Sequence, residues 1–115
     1  MNNYLEAIDA RTGALVDSFG QHDRVDLREG LDHDPSTVRH IQSNTPGRVF
    51  ENLLTLGSST GEEYTTPPGD LRAYDITTGK LAWIFHTVPH PGEFGYGTWP
   101  KDAWKYIGST NTWCE

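Results

Sequence analysis

The fold is decided by the stretch AYDITTGKLAWIF, which occupies residues 73–85. A similar stretch, AIDARTGALVDSF, occupies residues 7–19, and the two share their Ala, Asp, Thr, Gly, Leu and Phe positions. Each copy has the pattern of a β-hairpin, with a short strand, an Asp-x-x-Thr-Gly turn and a strand of alternating residues. The Asp side chain can accept hydrogen bonds within such a turn, and the Gly supplies a positive φ.

Internal repetition of a strand–turn–strand unit is typical of β-propellers. A further hairpin is predicted over residues 48–57, with Glu51 and Asn52 in its turn. The polar stretch 21–42 is expected to connect blades, with a helix or turn beginning at Asp34-Pro35-Ser36. No helical pattern is long enough for a crossover, so we predict an all-β fold. The expected form is a partial β-propeller of roughly two blades of four-stranded antiparallel sheet with long loops.

Length and charge narrow the class of protein. The 115 residues suffice for one domain, so we assign 1–115 to a single propeller fragment with repeat hairpins near 4–19 and 71–86. Propellers close with four or more blades, and for this reason a fragment is expected. The net charge of −7 argues against a nucleic acid partner. The single Cys excludes an internal disulfide, and neither a secretory signal nor a membrane-spanning run is visible.

Several polar and aromatic residues are candidates for a site. Trp99, Trp104 and Trp113 are close together among Gly and small polar residues, which suits either a flat ligand or packing between blades. Glu62 and Glu63 follow a Ser/Thr/Gly loop that could offer oxygen ligands to calcium. Adjacent acidic residues in a polar loop are, however, usually only solvated. The five His residues show no spacing typical of a metal-binding helix. His33, between two Asp residues, fits a solvated loop better than a metal site.

The chain resembles the dehydrogenases that depend on pyrroloquinoline quinone (PQQ), and within them the membrane-bound, glucose-dehydrogenase-like branch. The repeat hairpin is shared with many propellers, whereas the run after residue 78 is much more specific. The resemblance covers almost the whole chain and is carried by residues 7–13, 25–31, 69–75, 78–83, 85–87, 90–96 and 98–105.

The resemblance implies an eight-bladed propeller and roles for particular residues in cofactor binding. Trp113 would stack on the quinone with Asn111 beside it. A Gly-x-Ser-x-x-Glu pattern, read here from Gly57 to Glu62, would place Ser59, Thr60 and Gly61 around PQQ and Glu62 near Ca²⁺. A further hydroxyl contact would come from Ser43. The family's catalytic Asp is expected beyond residue 115, so no catalytic residue is assigned in this chain.

The function implied by the resemblance is oxidation of a sugar or alcohol CH–OH group. Electrons would pass to a respiratory quinone or cytochrome. The implied location is the periplasm, with attachment to the inner membrane through segments outside this region. The isolated fragment is expected to be inactive, and its substrate cannot be read from these residues. Two alternatives stay open: a non-catalytic propeller scaffold or interaction module with PQQ-like repeats, and a gene remnant without function.

Overall fold

A computed structural model of the chain describes residues 3–43, 45–108 and 110–112. Within these ranges there is no α-helix, and no helix is long and apolar enough to cross a membrane. The prediction of an all-β fold is therefore confirmed. The elements are the strands β1 (Tyr4–Glu6), β2 (Arg24–Asp26), β3 (Arg48–Phe50), β4 (Leu53–Leu56), β5 (Leu71–Asp75) and β6 (Leu81–Phe85), with 3₁₀ helices at Pro35–Thr37, Tyr96–Thr98 and Ala103–Lys105.

Strands β3 to β6 form a four-stranded antiparallel sheet in which each strand pairs with the next along the chain. The turn between β3 and β4 contains Glu51 and Asn52, as expected, and Glu51 adopts a positive φ of 53°. β5 lies between β4 and β6, so that Leu54 pairs with Tyr74 and Ala73 pairs with Trp83. This up-and-down order is that of a single propeller blade. The second sheet contains two described strands, β1 and β2.

The two repeated stretches build the same kind of turn. In the β5–β6 turn, Asp75 Oδ1 accepts hydrogen bonds from the Thr77 N–H (2.9 Å) and the Thr78 N–H (2.8 Å), and Gly79 has a φ of 71°. In the first copy, Asp9 Oδ1 accepts from the Arg11 N–H (2.7 Å), and Gly13 has a φ of 74°. The shared Asp and Gly thus have the roles that the sequence predicts. The first copy is shorter as a hairpin, since its strands are joined by a single bridge between residues 8 and 15.

Most of the main core comes from a segment that was expected to be a polar connection. Residues 21–42 contain β2 and the 3₁₀ helix capped by Asp34, whose Oδ1 accepts from the Ser36 N–H. They also supply four of the six buried residues of the main core cluster, whose members are Leu27, Leu31, Val38, Ile41, Leu56 and Tyr74. The segment is therefore an integral part of the fold. Its apolar residues are too widely spaced to give a periodic signal.

A second, smaller cluster lies near the end of the described chain. Val88, Ala103 and Ile107 are buried there, and Trp99 and Trp104 pack against them. This contact supports the packing interpretation of these two Trp residues over the ligand-binding one. The cluster holds the residues after β6 against the segment that leads to residue 112.

Arg72 on β5 connects the two sheets through polar contacts. Its side chain is 1% exposed. Nη1 donates to the carbonyl oxygens of Leu27 (2.8 Å) and Glu29 (3.2 Å), and Nη2 donates to Ser58 Oγ (3.2 Å). A buried charge is tolerated only where such partners replace water. Arg72 therefore holds the segment after β2 and the loop after β4 against the central strand.

We expect Arg72→Met to lower the free energy of unfolding by about 2–3 kcal/mol, because two carbonyl groups and a hydroxyl would lose their charged donor in the interior. Urea unfolding followed by Trp fluorescence measures this change. Arg39→Met is the control, since Arg39 is exposed and its replacement should change the value by less than about 0.5 kcal/mol. Equal unfolding midpoints for the two variants would contradict the structural role of Arg72.

Candidate cofactor site

The segments that contain the predicted site residues lie next to one another. The loop after β4 pairs with the residues before β3, because the Ser59 N–H donates to the Gln42 carbonyl (2.7 Å) and the Gln42 N–H donates back to the Ser59 carbonyl (3.1 Å). Ser43, next along the chain, is exposed, and its hydroxyl donates to the Thr45 carbonyl (2.8 Å). The predicted contact residues Ser43 and Ser59 thus lie on adjacent, paired segments.

The segment near the end of the chain reaches the same loop. Asn111 Nδ2 donates to the Gly61 carbonyl at 3.1 Å. Gly61 has a φ of 130°, a conformation that L side chains rarely adopt. Thr60, one residue earlier, is buried and donates its hydroxyl to the Pro67 carbonyl. The structure therefore brings Ser43, Ser59, Thr60, Gly61 and Asn111 into one region, while Trp113 lies outside the described residues.

Gly69 lets the chain approach Asn111 closely at this point. A Cβ atom at position 69 would lie 2.6 Å from the Ser58 carbonyl oxygen and 2.8 Å from both Cα and Oδ1 of Asn111. These distances are shorter than Cβ contacts in real proteins, so a larger residue would force the backbone apart. The absence of a side chain at Gly69 is thus what allows the loop after β4 and the 110–112 segment to meet.

Asp70 connects several segments of this region, a role that its position next to a Gly does not predict. It is fully buried, and its Oδ1 accepts from the Thr87 N–H (2.7 Å) and the Thr87 hydroxyl (3.1 Å). The Thr87 hydroxyl also lies 2.7 Å from the Thr110 hydroxyl. Burial raises the pKa of Asp70 above its ordinary value, while the hydrogen bonds from Thr87 oppose that change. Asp70 thereby links the residues after β6 to the segment that precedes Asn111.

Some buried polar atoms in this region have no hydrogen-bond partner among the described residues. They include Asn111 Oδ1, Thr112 Oγ1 and Asp70 Oδ2. An unpaired buried polar atom costs about 1–3 kcal/mol, so native structures rarely keep one without a reason. Asn111 Oδ1 lies beside Gly69 and Thr112 Oγ1 lies beside Gly57, close to the loop after β4.

Glu62 lies at the exposed end of this loop. Within the described ranges it does not belong to any group of three or more metal-ligating side chains. Calcium requires six to eight oxygen ligands, so Glu62 could supply only part of a calcium site.

A cavity of the described chain lies away from these residues. It has a volume of about 760 Å³ and is lined by residues of β1, β2 and the β5–β6 turn, among them Tyr4, Arg24 and Lys80. None of the predicted cofactor residues lines it. A smaller cavity of about 230 Å³ includes Ser43 together with Leu27 and Ile41. The candidate site is thus separate from the cavity that Tyr4, Arg24 and Lys80 line.

We expect Gly69→Ala to lower the free energy of unfolding by about 1–3 kcal/mol, because backbone atoms must move to admit the methyl group. Thermal unfolding followed by circular dichroism provides the measurement. Gly97→Ala is the matched control, since a Cβ atom at Gly97 meets nothing within 4 Å and its φ is not positive. A Gly69→Ala protein as stable as the control would show that the close approach to Asn111 is unimportant.

Comparison with known proteins relates this geometry to a family. The family described as glucose/ethanol/alcohol dehydrogenase, β-propeller domain, matches residues 1–115. The chain is 33% identical over 111 residues to quinate/shikimate dehydrogenase (quinone) of Acinetobacter baylyi, which covers 95% of the chain and 13% of the relative. It is 30% identical over 112 residues to quinoprotein glucose dehydrogenase A of Acinetobacter calcoaceticus, with the same two coverages.

A third relative, quinohemoprotein alcohol dehydrogenase ADH IIB of Pseudomonas putida, is 32% identical over 123 residues, which covers 98% of the chain and 16% of the relative. The chain therefore spans well under a fifth of the length of these relatives. No solved structure matches the chain significantly.

Proposed function

Because the chain belongs to the β-propeller family of PQQ-dependent glucose, ethanol and alcohol dehydrogenases, we propose that it forms one wall of the quinone-binding site of such an enzyme. The observation that carries the proposal is the hydrogen bond between Asn111 and the Gly61 carbonyl. It joins two segments that are far apart in the sequence and to which the family resemblance assigns cofactor contacts.

The chemistry of the residues fits PQQ. The cofactor is a flat molecule with three carboxylates, so it needs an aromatic face, neutral hydrogen-bond donors and a divalent cation. The Ser59 hydroxyl and the Asn111 amide could donate to it, whereas the hydroxyls of Ser43 and Thr60 donate to the Thr45 and Pro67 carbonyls and would have to exchange these bonds for contacts with the cofactor. The Thr112 hydroxyl, which has no partner among the described residues, could add a further donor. When bound, PQQ accepts the two electrons removed from a CH–OH group.

Trp113 and Glu62 would have separate roles in this site. Trp113 would cover one face of the quinone ring, while Gly61 lets the backbone approach it closely. Glu62 would supply one carboxylate to Ca²⁺, and the other ligands would come from outside the described residues. The orientation of the ring would thus depend on the contact between Asn111 and Gly61.

The whole enzyme is proposed to oxidise a sugar or alcohol. Its relatives are named for quinate or shikimate, glucose and alcohol, and one name includes a quinone. We propose a respiratory quinone or cytochrome as electron acceptor. The proposed location is the periplasm, with the full-length protein attached to the inner membrane.

We expect PQQ, added with Ca²⁺, to quench the Trp fluorescence of the chain in a saturable manner, because a stacked quinone accepts excitation from the indole. Trp113→Ala should remove most of this quenching. Trp83→Ala is the matched control, since Trp83 lies 43% exposed on β6, outside the candidate site, and should leave the quenching in place. Equal quenching in both variants would contradict the stacking role of Trp113, and no quenching would favour a non-catalytic scaffold.

The isolated chain should bind PQQ without catalysing substrate oxidation, because the resemblance places the catalytic Asp of the family after residue 115. Reduction of an artificial dye, with PQQ, Ca²⁺ and glucose, ethanol or quinate present, measures turnover. We expect a rate equal to that of a mixture without substrate. Clear substrate-dependent reduction would contradict the proposal that this chain supplies only one wall of the site.

A further inference from the structure

Two His residues that follow β6 lie stacked on each other. The ring centroids of His86 and His90 are 3.7 Å apart, and their planes differ by 8°. Their side chains are 16% and 23% exposed, so both remain accessible from solvent. The Trp104 ring packs against His90 with a centroid distance of 4.6 Å.

Each imidazole also contacts a carboxylate. His90 Nε2 lies 2.7 Å from Asp32 Oδ2, and His86 Nδ1 lies 2.8 Å from Glu93 Oε1. Glu93 is itself held in place, because its Oε2 accepts from the His90 N–H at 2.7 Å. This bond fixes the orientation of the Glu93 carboxylate beside His86.

We propose that Asp32, His86 and His90 bind a zinc ion. One ligand atom from each of the three residues lies within 4.8 Å of the others. Imidazole nitrogens and a carboxylate oxygen are the ligands that zinc prefers besides thiolates, and three protein ligands leave the fourth position for water.

Glu93 completes the arrangement from outside the ligand set. An ionised carboxylate can only accept, so its contact with His86 places the proton of that ring on Nδ1. The lone pair is then on Nε2, the atom left for a metal. A carboxylate on the far nitrogen of a metal-binding His is a recurrent feature of zinc sites, where it fixes the tautomer and raises the basicity of the ligand.

Zinc binding changes two features of the cluster. For His90 Nε2 to bind zinc, the proton that it donates to Asp32 must move to Nδ1 of the same ring, so binding requires a change of tautomer. Parallel rings also direct their nitrogen lone pairs side by side, so one imidazole must rotate for both to reach a common ion. This rotation alters the packing of His90 on Trp104 and provides an optical signal.

The ion would connect distant parts of the chain. Asp32 follows the fully buried Leu31 in the segment after β2, whereas His86 and His90 follow β6 of the four-stranded sheet. A metal that binds only the folded chain stabilises it by mass action. Zinc would thus add a second connection between the two parts that Arg72 already joins.

The test is titration of the untagged chain with zinc chloride, followed by calorimetry and by the unfolding temperature. All proteins carry Cys114→Ser, because a free thiol could bind zinc by itself. We expect one zinc ion per chain and an unfolding temperature that rises with zinc concentration. Cobalt(II) should give the visible absorption of a tetrahedral site at the same stoichiometry.

Asp32→Asn and His90→Ala should each weaken zinc binding at least about tenfold, and Glu93→Gln should weaken it about 10–100-fold. Asp32 has a φ of 57°, a conformation that Asn also tolerates, so Asp32→Asn keeps the backbone and remains informative if His90→Ala fails to fold. His40→Ala is the control, because His40 is exposed and lies outside the cluster. The zinc affinity of this variant should match that of the parent.

The proposal is overturned if the parent does not bind zinc, or if Asp32→Asn and His40→Ala bind it equally well. It is also overturned if the Asp32, His90 and Glu93 variants are less stable than the parent without zinc but bind zinc as the parent does. The residues would then only form hydrogen bonds with one another. No PQQ is present in these titrations, so their failure is distinct from a failure of the proposed function.

Discussion

The buried guanidinium of Arg72 is the interaction on which the arrangement of the chain depends. A charge that is removed from water must find partners of comparable strength, and Arg72 finds them in two segments remote from its own strand. These partners are carbonyl groups after β2 and a hydroxyl after β4. The hydrogen bonds of this one side chain therefore fix the positions of two loops relative to β5. The apolar cluster around Leu31 and Tyr74 then fills the space between them.

The residues immediately before the same strand also shape the candidate cofactor site. Asp70, two residues before Arg72, accepts from Thr87, while Gly69 allows Asn111 to approach the loop after β4. The residues just before β5 thus help to assemble the candidate site, while Arg72 on the strand itself holds two loops in place. Site residues on loops are precise only where the scaffold beneath them is rigid. The unpaired atoms of Asn111 and Thr112 belong to this supported region.

Features that depend on local sequence could be predicted, and those that depend on long-range contacts could not. The Asp-x-x-Thr-Gly turns and the hairpin at Glu51 follow from residues within a few positions of one another. A family pattern assigns cofactor contacts to residues 57–62 and 111, and this assignment stays a prediction. The core role of residues 21–42 was missed, since their apolar side chains have no period. The pairing of Asp32 with His90 was missed because only tertiary structure brings residues so distant in sequence together.

The outer strands of the four-stranded sheet explain why the sheet fits a propeller better than an isolated domain. Leu81, Trp83 and Phe85 on β6 are between 43% and 61% exposed, and Val49 and Phe50 on β3 are more exposed still. Apolar side chains of this size on two sheet edges would favour association if they stayed in water. In a propeller, neighbouring blades cover such surfaces. Both Nη atoms of Arg72 on β5 find partners within the described chain, whereas β3 and β6 leave apolar side chains exposed of the kind that neighbouring blades of a propeller cover.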